Sequence, residues 1–270
     1  VKFIFSIFAL TIALCVSAQD LSMREIPTRE GVKQKFVYQK AVEPFASAVL
    51  FQGGPGAIGV SGSEAKGWVK LDGAFLSGGA GRFAQAGVSA AAVDAPSDRS
   101  NLNSGFRSSP EHAKDIAAVV AFLRQQAPQK PVCLVGTSNG SLSATSSAAL
   151  LGDKGPDCIV LTSSVGIKPT SSIVQRFVHT FSDADLTKIN VPVLIVHHKG
   201  DRCSHSPFEP MQGQVKSFVN SPRVDLLAIE GGQDHSDSCN RGHHQFLGIE
   251  EQVTKQIADW INGLKIAPKN

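Results

Sequence analysis

From Lys35 onward, short apolar runs alternate with segments whose apolar residues recur every three or four positions. The runs at 35–40, 47–52, 88–93, 131–137, 158–163, 191–198 and 224–229 are predicted strands. Most lack a strict in–out alternation, as expected of strands covered on both faces. Helices are predicted between them. Ser109-Pro110-Glu111 supplies a cap, a proline at the first helical position and an early acid, and Ile116, Val119, Val120 and Leu123 follow on one stripe. A last helix carries Ile249, Val253, Ile257, Trp260 and Ile261 on one face and ends near Gly263. This order predicts an α/β fold, with a mostly parallel central sheet flanked by helices on both faces. No internal repeat, low-complexity tract or Pro/Gly-rich linker divides the chain, so one domain over 19–270 is expected.

The N-terminal segment stands outside that pattern. Lys2 precedes an apolar stretch from Phe3 to Val16, and Val16-Ser17-Ala18 offers small residues at a cleavage point before Gln19. Residues 1–18 are therefore read as a signal peptide, too short for a comfortable membrane span of about 20 residues. Leu14 before Cys15 is larger than a lipoprotein signal has there, so simple cleavage is preferred to lipidation. A periplasmic or secreted protein is expected, with no stable membrane insertion after cleavage. Net charge is +3 without a run of Lys or Arg, which leaves no electrostatic footprint for nucleic acid.

Export changes the meaning of the cysteines. Of five, Cys133, Cys158, Cys203 and Cys239 lie beyond the leader. An even count in an oxidising compartment favours bridges. The preferred pairing is 133–158 with 203–239. Two buried free thiols stand as an equal alternative for the strand pair.

The most informative stretch runs from Pro131 into Gly136-Thr137-Ser138-Asn139-Gly140 and on through small residues to Ala149. An apolar strand, a glycine-flanked serine and a slim helix match the sharp turn that lifts a nucleophile above a sheet. Gly136 and Gly140 keep bulk away from that turn, and Ser141 and Ser143 are read as packing residues. Two segments downstream, the predicted strand 191–198 leads to Asp201 in a loop, where a carboxylate can orient an imidazole. Asp183 and Asp185 precede that strand, at the wrong end of the sheet. After the run 224–229 three histidines qualify as base: His235, His243 and His244. His244 is preferred because it adjoins the last helix, with His235 second.

Acyl transfer also needs two backbone N–H donors for a developing oxyanion. One is the residue after the nucleophile, Asn139. The run 47–52 ends in Gln52-Gly53-Gly54-Pro55-Gly56, which resembles the HGGPG loop of the α/β hydrolases with Gln52 in place of His. That match implies Gly54 as the second donor. The same glycines read Gly54-x-Gly56-x-x-Gly59, a dinucleotide fingerprint with Asp72 downstream. No helical pattern follows it, so it is set aside.

With these residues in hand, the chain resembles the α/β-hydrolase superfamily over nearly its whole mature length, and most of all small exported bacterial members. Further matching stretches are Val93-Asp-Ala-Pro-Ser-Asp98, Leu161-Thr-Ser-Ser164, Val196-His-His-Lys-Gly-Asp-Arg-Cys203 and the tail from Gly231 to Glu250. The resemblance implies a carboxylesterase-like serine hydrolase of a small-molecule ester, thioester or amide, through an acyl-enzyme on Ser138. It implies no cofactor and no metal. The short interval between 159 and 191 leaves no room for a large lid. Arg82, Asp98 and Arg107 fall near the site and are read as braces. Two other readings compete. His197, His198, Asp201, Cys203 and His205, with Asp234, His235, Asp237, Cys239, His243 and His244, hold enough donors for a metal-binding hydrolase, though in no common zinc spacing. A non-catalytic binding protein on the same fold is the other.

Overall fold

A computed structural model describes residues 21–63, 66–68, 74–168, 179–266 and 269. All seven apolar runs form strands. With three further strands they are β1 (Ser22–Arg29), β2 (Val32–Gln39), β3 (Ala46–Phe51), β4 (Ser61–Ser63), β5 (Lys66–Trp68), β6 (Val88–Val93), β7 (Val132–Thr137), β8 (Cys158–Thr162), β9 (Val193–His198) and β10 (Val224–Ile229). The helices are α1 (Ala80–Gln85), α2 (Ser104–Arg107), α3 (Pro110–Gln126), α4 (Gly140–Leu151), α5 (Phe208–Gln214) and α6 (Glu250–Asn262).

Eight strands make one sheet in the order β1-β2-β6-β3-β7-β8-β9-β10. β1, β2 and β6 pair antiparallel, and every pairing from β6 through β10 is parallel. The runs of β3, β6, β7, β8 and β9 lack alternation because both faces are buried. Val49 and Phe51 of β3 join Leu134 and Ile159 in a core under α3 and α4. Ala48 and Leu50 point the other way, with Val135, Val160 and Leu194, toward Phe83 of α1 and Val253 and Ile257 of α6. Each fully buried large apolar side chain contributes roughly 1.5–3 kcal/mol.

Ser109 caps α3 by accepting from the His112 N–H, with Pro110 in the first turn. The β1–β2 hairpin was not legible in the apolar pattern. β1 is a half-exposed edge strand whose register shifts between Pro27 and Arg29, and its turn uses Gly31 at φ +67.

Both expected disulfides are present, Cys133–Cys158 and Cys203–Cys239. The first joins directly paired positions of neighbouring parallel strands β7 and β8. Among the described residues no large lid covers the carboxyl ends of the strands, and no helix is long and apolar enough to cross a membrane. The signal segment 1–18 and Asp72 lie outside the described residues.

Candidate active site

The turn from β7 into α4 holds Ser138 at φ +52, a left-handed conformation that a serine adopts only under local constraint. The constraint is visible. The Ser138 N–H donates to the Thr162 carbonyl at 3.0 Å, fastening the turn to β8. Ser141 Oγ donates to the Gly136 carbonyl at 3.1 Å and meets Ser164 Oγ at 2.7 Å. A Cβ at Gly136 would overlap the Gly140 carbonyl, and one at Gly140 would overlap the Phe51 carbonyl. Neither position tolerates a side chain.

Gly53 lies against the same turn: a Cβ there would come within 2.7 Å of Ser138 Cβ. The loop after β3 therefore abuts the serine. Gly54 follows at φ +53 and borders the same pocket as Ser138 and Asn139. Arg107 holds this loop from behind. Its Nη2 donates to the Gln52 and Gly54 carbonyls, and its Nη1 donates to Ser143 Oγ on α4. Arg82 and Asp98 also brace, through the Phe75 carbonyl and Arg29 respectively.

β9 delivers the carboxylate and the segment after β10 delivers the imidazole. Asp201 Oδ2 accepts from His244 Nδ1 at 2.8 Å, with both side chains fully buried. His197 Nε2 lies 3.5 Å from the same oxygen, and Cys203 N–H donates to Oδ1 at 2.9 Å. Burial raises the Asp201 pKa, but hydrogen bonds from His197 and His244 outweigh it, and the carboxyl stays below its ordinary value. His197 was singled out only as a possible metal donor, not as a partner of Asp201.

His244 sits in a short 3₁₀ turn, Gly242–Gln245, locked by the Leu247 N–H on the Gly242 carbonyl at 3.0 Å. The next residue, Phe246, packs edge-on against Phe75. The two rival histidines face elsewhere. His235 Nδ1 accepts from the Asp237 N–H, and His243 stacks on His198 with its Nδ1 on the Gly200 carbonyl. His244 Nε2 is buried and without a hydrogen-bond partner. No hydrogen bond joins it to Ser138, whereas Asp201 and His244 are brought together.

A pocket of about 620 Å³ opens over Ser138. Its walls include the 52–59 loop, Ala74 and Ser77, Val165, the Cys203–Cys239 bridge, and His205, Asp237, Asn240, Arg241 and Gln245. Two glutamines hold the 74–77 wall. Gln52 Oε1 accepts from the Ser77 N–H at 3.1 Å, and Gln245 Oε1 accepts from the Phe75 N–H at 2.8 Å.

Solved structures share this arrangement of strands and helices. Est1E from Butyrivibrio proteoclasticus superposes with a TM-score of 0.59 at 16% identity, covering 89% of this chain and 97% of its own. An esterase of Pyrococcus furiosus gives 0.62 at 14% identity, covering 90% of each chain. A Xanthomonas campestris protein described as an α/β serine hydrolase without a lid gives 0.55 at 13%, covering 92% of this chain and 97% of its own. The chain has the α/β-hydrolase fold. No family model and no curated protein matches the chain by sequence.

Within the α/β-hydrolase fold the rival motifs lose their support. The glycine series 54–59 leads into β4, not into a helix that could receive a phosphate. Of the metal donors proposed in the two loops, Cys203 and Cys239 are bridged, and among the described residues no group of three His, Cys, Asp or Glu side chains is arranged to hold a metal ion.

Proposed function

We propose that the protein is an exported serine hydrolase that cleaves an ester, thioester or amide through an acyl-enzyme on Ser138. The observation that carries the reading is the buried Asp201–His244 hydrogen bond of 2.8 Å, set at the same end of the sheet as a serine held at φ +52. Ser138 Oγ attacks the substrate carbonyl while His244 Nε2, the one imidazole nitrogen of that pair left unbonded, takes the hydroxyl proton. Asp201 keeps the proton on Nδ1 and stabilises the imidazolium as it forms. The oxyanion is received by the N–H groups of Gly54 and Asn139. Collapse of the tetrahedral intermediate breaks the bond to the leaving group, to which His244 returns the proton. Water, activated by the same imidazole, then releases the acid from Ser138.

A pocket without a large lid suits short acyl groups, so carboxylesterase-like activity on short esters is the expected first assay. The neighbours described as esterases and serine hydrolases support the reaction class, and two disulfides support an oxidising compartment, periplasmic or extracellular. The test is labelling by a fluorophosphonate with the modified residue located by mass spectrometry, together with Ser138→Ala. Label on Ser138 and a loss of turnover of roughly a thousandfold or more are expected. Undiminished hydrolysis by the alanine variant would overturn the reading.

A further inference from the structure

Two side chains of opposite formal charge, Asp237 and Arg241, stand in the wall of the Ser138 pocket, and they are in different states. The Asp237 carboxylate is occupied: both oxygens accept from the Asn240 amide, at 3.1 and 3.2 Å, and Oδ1 also accepts from the Asn240 N–H at 3.2 Å. The Arg241 guanidinium has no ion pair or hydrogen bond among the described residues. Its neighbour on the acid loop, Arg202, is spent on Asp234 at 2.7 Å. One cation therefore faces the pocket without a counterion, although a carboxylate lies four positions away in sequence.

The backbone that carries this cation is fixed on both sides. Two residues before it, Cys239 is bridged to Cys203. Three residues after it, His244 is bonded to Asp201. The Arg241 N–H donates to the Asp237 carbonyl at 3.0 Å. Gly242 then turns at φ +64, so close to the 235 segment that a Cβ would meet the His235 nitrogen at 2.7 Å. The guanidinium thus projects from the same braced turn that presents the imidazole. A fixed positive charge in a concave wall raises the local concentration of anions, and a guanidinium matches the fork of a carboxylate.

We propose that Arg241 is a specificity-determining residue that selects acyl substrates bearing a carboxylate, either on the acyl chain or on the leaving group. This rests on the serine-hydrolase reading above and adds the substrate class to it. Because Arg241 is exposed to solvent, the selection is modest, roughly five- to twentyfold in kcat/KM, and it weakens with salt.

The test compares each anionic ester with its neutral methyl ester: mono-4-nitrophenyl adipate for the acyl side and 4-acetoxybenzoate for the leaving-group side. Wild-type protein should favour the anion in at least one pair. Arg241→Gln should bring that ratio to near unity, Arg241→Lys should keep part of it, and Arg202→Gln, which removes the same net charge, should keep it within about twofold of wild type. Hydrolysis of both members with no preference, or a preference that survives Arg241→Gln, overturns the proposal and leaves the serine-hydrolase reading intact. Should neither ester turn over, the same ratio is read from labelling rates of a phosphonate with a terminal carboxylate and its methyl ester. Equal rates overturn the proposal, and no labelling at all removes the serine-hydrolase reading with it.

Discussion

Arg107 Nη2 donates to the carbonyl of Gly54 at 3.2 Å from a side chain that is only 1% exposed. The same guanidinium reaches the Gln52 carbonyl at 3.1 Å, Ser143 Oγ at 2.8 Å and, through Nε, the Leu102 carbonyl at 3.2 Å. One buried cation therefore ties the loop of the proposed oxyanion donor to the helix behind the proposed nucleophile. Burial pushes its pKa down to about 9, which still leaves it charged at neutral pH. Its charge is met by carbonyl dipoles instead of a carboxylate. Arg107→Lys places one ammonium where a fork met several acceptors, and Arg107→Met meets none. Leaving buried carbonyls unpaired costs roughly 1–3 kcal/mol each. Both variants should unfold at lower urea, methionine more so, and both should lose roughly tenfold or more in kcat on a short ester with a smaller change in KM. A kcat equal to wild type in a folded Arg107→Met protein would show that the clasp serves stability alone.

The Cys203–Cys239 bridge closes a segment of 36 residues and ties the Asp201 loop to the His244 loop, two positions from Asp201 and five from His244. It also forms part of the pocket wall. Opening a loop of that length restores roughly 3–4 kcal/mol of unfolded-state freedom in the chain-entropy account. The double variant Cys203→Ser/Cys239→Ser should therefore melt several degrees lower. It should also lose activity at temperatures where circular dichroism still reports a folded protein, because the carboxylate and imidazole sit on separate loops once the tie is gone. Loss of activity that tracks unfolding point for point would contradict this.

Much of this architecture was legible in the chain, and the parts that were not share a physical cause. The buried parallel strands announce themselves because both faces need apolar side chains, as Val49 and Leu50 show by entering opposite cores. The sharp turn at Ser138 is legible because sterics demand glycine at 136 and 140. His244 was favoured over His235 as the base on its junction with the last helix; in the structure it is His244 that bonds to Asp201. β1 escaped notice because a half-exposed edge strand needs no apolar stripe. Arg107 was legible as a brace but its partners were not, because Gln52 and Ser143 lie far away in sequence. His197 was read only among possible metal donors, and its bond to the Ser206 carbonyl and its approach to Asp201 were not legible. Composition and periodicity carry no trace of such partners.

His112 offers a test of how the core behind the site responds to acid. Its ring lies between Phe51 and Phe106, with centroids 6.0 and 5.2 Å away, and neither ring nitrogen has a hydrogen-bond partner. Burial, reinforced by the positive charges of Arg107, Arg29 and Arg99, lowers its pKa from 6.5 to about 3. The folded chain thus holds this proton less tightly than the unfolded chain does. Between pH 6.5 and about 3 the unfolded state binds more protons, so stability falls as pH is lowered through that window and is unaffected by His112 above it. The contribution lost between pH 7 and pH 5 is roughly 2 kcal/mol. His112→Met keeps apolar volume on α3 without a titratable group, and it should lie within about 1.5 kcal/mol of wild type at pH 7. Urea midpoints measured at both pH values should then converge or cross, with the methionine variant losing less on acidification. Parallel losses in the two proteins would mean that the His112 ring gains its proton in the fold as readily as in the open chain.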